Sequence, residues 1–145
     1  MSLPPPPLSL LLPPAALVAL TAVVWVRLYY DRVREMLRRR IRPQALARSV
    51  DGLQDGQAAA NFRNLCEAPV LFYALCASAA AARVPLPSRL VPAAWAYVAL
   101  RALHSAIHCT YNRVLHRFAV YAASTVLLFG MWAVFTAVLL QEAPS

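Results

Sequence analysis

Four apolar runs constrain this chain more than any other feature. Each approaches the roughly 20 residues that a helix needs to cross the hydrocarbon of a bilayer. They fall at about residues 9–30, 58–82, 91–111 and 118–140. A backbone inside lipid must satisfy its own hydrogen bonds, which leaves helices or closed barrels, and runs of this length fit helices. Joined by short connections, they predict an all-α, integral membrane, up-down-up-down four-helix bundle in one domain over residues 1–145. Composition agrees: charged residues make up 14%, against roughly 25% in soluble domains.

The first run is uncharged from Leu8 to Val26. A secretory signal peptide is the competing reading, but no basic segment precedes the run, and the charges follow it. Pro13 and Pro14 fit only the first turn of a helix, so the helix is expected to start there and to continue to Tyr29 and Tyr30 as interfacial anchors. A basic linker follows at about residues 31–57, helical to about Arg40 and broken by Pro43, Gly52 and Gly56. This linker and the Asn112–Arg117 connection hold most of the arginines. Both are assigned to the cytoplasmic side, which puts the two termini on the other side.

The formal charge of +8 raises the question of nucleic acid. The arginines flank apolar runs and no nucleic-acid module is visible, so membrane lipids are the expected partner and nucleic acid is not. Cys66, Cys76 and Cys109 lie in apolar segments without paired spacing and read as small buried hydrophobes.

The second run opens on "NFRNLCEAPVLFY", residues 61–73. Polar groups in a span are costly and call for a partner or a purpose. Asn64 and Glu67 are three apart, and Arg63 and Glu67 four apart, so their side chains can meet on a helix. Pro69 removes a backbone donor and frees the carbonyl of Leu65. In the third run, Tyr97, Arg101, His104, Ser105, His108, Tyr111 and Asn112 recur at steps of three and four. They form one stripe, which Arg113 and Arg117 continue. Tyr121, Ser124 and Thr125 make a shorter stripe on the fourth run.

Helix–helix glue is one reading of these stripes, with Glu67 and Arg101 neutralising each other. As a set, a carboxylate, several arginines and two histidines also suit a site for a polar, anionic ligand near the cytoplasmic surface. His104 and His108 with Glu67 could instead form a two-histidine-one-carboxylate metal site, or the histidines could ligate haem. Arg101 one turn away opposes a cation, and no metal is expected.

An N-x-x-E followed by proline in the second of four spans, with "LRALHSAIHCTYNRVLHRF" in and after the third, resembles the MAPEG superfamily, the membrane-associated proteins in eicosanoid and glutathione metabolism. The likeness covers most of the chain and looks closest to short bacterial members. The resemblance implies a homotrimer in a bacterial inner membrane. It also implies glutathione bound between protomers near the cytoplasmic side, and a lipophilic small-molecule substrate arriving from the bilayer. By position, Asn64 and Glu67 match the second-span motif and Arg101 the third-span arginine. Arg117, or Arg113, is the candidate stabiliser of the glutathione thiolate. Arg63, His104, His108 and Tyr121 complete the candidate ligand-binding set. The chain departs from glutathione-using members at Ala60, where they carry arginine, and at His108, where they carry tyrosine.

Three functions follow: a glutathione transferase or peroxidase acting on lipophilic electrophiles, a non-catalytic lipid- or ligand-binding protein, or an accessory subunit of a larger membrane complex.

Overall fold

The computed structural model describes residues 8–40 and 57–142. A 3-10 turn at Leu8–Leu10 leads into α1, Leu12–Arg39. Two helices follow, α2 at Gln57–Glu67 and α3 at Pro69–Ala82, then α4 at Leu90–Cys109 and α5 at Val114–Glu142. Helices α2 and α3 run on as one span, Ala59–Ala82, so four helices are long and apolar enough to cross a membrane. The protein is an all-helical integral membrane protein.

The local chemistry explains the helix ends. Pro13 and Pro14 sit in the first turn of α1, where the missing N–H has no intrahelical partner to lose. Helix α1 runs nine residues beyond Tyr30, through half of the arginine cluster expected as linker. Its exposed end carries the i,i+4 pairs Arg27–Asp31 at 2.9 Å and Arg39–Glu35 at 2.5 Å. The remainder of that linker, residues 41–56, lies outside the described residues. The fourth helix starts at Val114, a turn before the expected boundary, so Arg117 stands on the helix and not in a loop.

At Pro69 the helix ladder breaks, yet Ala68 keeps helical angles of φ −61° and ψ −38°. The chain therefore stays helical across an interrupted hydrogen-bond pattern, closed locally by Leu71 N–H to the Ala68 carbonyl at 3.2 Å. The α4–α5 turn is tight. Asn112 takes a left-handed φ of 46° and donates its N–H to the Ile107 carbonyl at 2.9 Å. Asparagine is among the few side chains that accept this conformation readily.

Packing is most extensive between α4 and α5, while α1 packs on α2 and α4, and α3 on α5. The centre is α4, which buries Leu90, Ala94, Tyr97, Arg101, Ser105 and His108 along one face. The bundle divides into two layers. Towards the Arg83–Arg89 turn the core is apolar, with Leu75, Ala79, Leu90, Met131 and Phe135 in contact. Phe72 stacks on Tyr97 at 4.5 Å at its inner edge. Towards the α4–α5 turn the core becomes polar, and the candidate site lies there.

Candidate functional site

The polar layer starts with asparagines. Along α2 and into the start of α3 the buried stripe runs Asn61, Leu65, Pro69, at steps of four. Asn61 is fully buried. Its Oδ1 accepts from Ser105 Oγ at 3.1 Å, and its Nδ2 donates to Cys109 Sγ at 3.4 Å. This clamp between α2 and α4 was not singled out from the sequence. Stepping back four residues from Leu65 along the apolar stripe would have found it.

Arg101 is fully buried on α4. Its Nη2 donates to the Asn64 carbonyl at 3.0 Å and, more closely, to Asn64 Oδ1. Its guanidinium carbon sits 5.5 Å from the centroid of the Tyr121 ring. The expected ion pair with Glu67 is not formed. Glu67 is exposed, and among the described residues the ion pairs are those on α1. The reason is rotational. At about 100° per residue, Asn64 lies close to the buried stripe and Glu67 turns well away from it. The carbonyl that receives Arg101 belongs to Asn64, one residue before the Leu65 carbonyl expected to be freed by Pro69.

Arg117, in the first turns of α5, is held by groups of its own chain. Its Nη1 lies 2.9 Å from Asn112 Oδ1 and 3.3 Å from His108 Nε2. Its backbone carbonyl lies 3.1 Å from His104 Nδ1. The His104 ring stands 5.8 Å from His108 and 5.9 Å from Tyr121, centroid to centroid. Asn64, His104, Arg117 and Tyr121, with Val114 and Phe118, line a cleft of about 210 Å³. Its lining mixes polar and cationic groups with aliphatic and aromatic ones, and Val114, Arg117, Phe118 and Tyr121 come from one face of α5.

The structure thus brings Asn64, Arg101, His104, His108, Arg117 and Tyr121 into one layer. It leaves three candidates outside it. Arg63 and Glu67 are exposed on α2, and Arg113 is exposed in the turn and does not line the cleft. Several buried polar atoms have no partner among the described residues: Tyr97 Oη, Arg101 Nε and Nη1, His104 Nε2 and His108 Nδ1. Unmet donors and acceptors in a dry interior each cost on the order of 1–3 kcal/mol, a cost that fits a polar site better than a packing seam. Among the described residues no group of three or more His, Cys, Asp or Glu side chains could hold a metal ion.

A sequence model of the MAPEG family matches residues 10–137, most of the chain. Neither the curated proteins nor the solved structures contain a match.

Proposed function

The chain belongs to the MAPEG family, and from that premise we propose that it is a glutathione-dependent transferase or peroxidase acting on lipophilic electrophiles. The observation that carries this reading is Arg117, a cation fixed at a cleft that Val114 and Phe118 also line. A guanidinium beside a thiol favours the thiolate, which is the reactive form. The apolar part of the lining suits a substrate dissolved in lipid. In the conjugation reaction the thiolate sulfur attacks an electrophilic carbon, a thioether bond forms, and the leaving group departs with its electron pair.

A 210 Å³ cleft is small for a tripeptide, so the reading includes a homotrimer in which a neighbouring protomer completes the site. The exposed Glu67 is available to such a neighbour or to the ligand it helps to hold. It also places the α4–α5 turn, and with it the cleft, on the cytoplasmic side of a bacterial inner membrane, with both termini opposite.

The test is glutathione conjugation to a lipophilic aryl halide by the purified protein in lipid nanodiscs. Arg117→Ala is expected to lower turnover by about 100-fold, on the scale of losing one charge-stabilising donor, while the assembly persists. Unchanged turnover would remove Arg117 from the chemistry.

A second reading, a non-catalytic ligand-binding protein or an accessory subunit of a larger membrane complex, draws support from Ala60 and His108. Both stand where glutathione-using relatives carry other residues. Native mass spectrometry from mild detergent separates the readings by the oligomer, ligand and partner that it retains.

A further inference from the structure

Arg117 has two acceptors on a single nitrogen. Its Nη1 faces Asn112 Oδ1 at 2.9 Å and His108 Nε2 at 3.3 Å. A guanidinium can only donate, so His108 Nε2 must present a bare lone pair, and the proton of the neutral ring sits on Nδ1. The neighbouring histidine has the same tautomer for a different reason. His104 Nδ1 faces the Arg117 carbonyl at 3.1 Å, and a carbonyl can only accept. Asn112 reaches Arg117 from the left-handed residue of the turn, φ 46°. Both supports therefore depend on local geometry that this sequence sets up in and just after the last turn of α4.

We infer that His108 and Asn112 are positioning residues for Arg117, with neutral His108 and the Asn112 amide oxygen holding its Nη1 so that the rest of the guanidinium serves the cleft. This rests on the reading of Arg117 as the thiolate cation. It makes His108 a support for that cation and not a ligand contact.

The arrangement is sensitive to acid. Protonating His108 removes the acceptor and puts two cations 3.3 Å apart in a poorly screened setting, where like charges repel strongly. The charged and titratable groups around His108 are His104 on its own helix and Arg117 on α5, with Arg101 and Tyr121 beyond His104. Helix α2 contributes Asn61 and Asn64, which do not titrate. No described carboxylate offsets a charge on His108. The support exists while His108 is neutral and is lost as the pH falls.

The test has two arms on the full chain in nanodiscs. The first reads the ¹⁵N resonances of labelled histidines near neutral pH without ligand. His108 should show an unprotonated Nε2 and a protonated Nδ1, and Arg117→Gln should move the Nε2 resonance. A protonated Nε2, or no response to Arg117→Gln, would overturn the inference whether or not glutathione is used. The second arm compares pH profiles of glutathione turnover. The wild type should lose kcat in acid. His108→Gln keeps an amide acceptor that does not titrate, so it should retain most of kcat and make the acid limb shallower, leaving the single proton step of the thiolate. His108→Phe should lower kcat about tenfold or more at every pH through misplacement of the cation, with a smaller change in KM. An acid limb as steep in His108→Gln as in the wild type would sink the proposal. Absence of turnover in the wild type would instead count against the enzyme reading and leave the first arm to decide.

Discussion

At the scale of residues, burial ranks the polar side chains differently from their chemical interest. Apart from Glu142 at the very end of α5, Glu67 is the only carboxylate on the described helices beyond α1, yet it is exposed. Asn61 is neutral and easily overlooked, yet it joins α2 to two residues of α4 with no exposure of its own. Asn61→Ala strands Ser105 Oγ in the interior. It should therefore destabilise the protein by about 1–3 kcal/mol, read from thermal or denaturant unfolding in the same detergent. Arg101→Met tests the buried cation. Its charge is met by an asparagine, a carbonyl and an aromatic face with no carboxylate. The methionine variant should keep most of the stability, because replacing a buried, incompletely paired charge by an apolar chain of similar length is often nearly neutral. Asn64→Leu removes Arg101's acceptors on the side chain and should cost more than Arg101→Met. Reversal of that order in unfolding measurements would show that Arg101 acts chiefly as structural glue.

At the scale of elements, the outcome follows from what spacing can and cannot tell. Tyr97, Arg101, His104, Ser105 and His108 share a face because of the helix repeat, and that face is buried as a unit. On α2, Asn64 and Glu67 were legible as neighbours. Which of them meets α4 depends on how the helix is rotated, and the apolar stripe of Leu65, Pro69 and Phe72 sets that rotation. Arg117 was legible as a candidate. Its fixation was not, because it needs a left-handed Asn112 and a helix that restarts within two residues. This turn supports a specific prediction. Asn112→Gly keeps the conformation and loses the Arg117 contact, so stability should change by less than about 1 kcal/mol while glutathione turnover drops. Asn112→Val should lose both, since a β-branched side chain is strained at positive φ. Equal turnover in Asn112→Gly and the wild type would show that the contact is dispensable.

At the scale of the whole molecule, the surface explains the composition. Val126 is 73% exposed, Phe129 57% and Leu140 73%. In water such an array would be an aggregation hazard, and in hydrocarbon it is matched. Phe129→Arg should therefore impair membrane insertion by roughly 2.5–3.5 kcal/mol at mid-bilayer, measured as the inserted fraction in a translocation assay. Within this apolar body one layer is polar, and we propose that this layer, at the α4–α5 end, is a glutathione site organised around Arg117. The most direct measurement of that claim is the ultraviolet absorbance of the glutathione thiolate on mixing with the assembled protein near neutral pH. The wild type should give a thiolate signal that Arg117→Ala abolishes without dissociating the assembly; no signal in the wild type, or an equal signal in both, would rule out a glutathione site organised around Arg117.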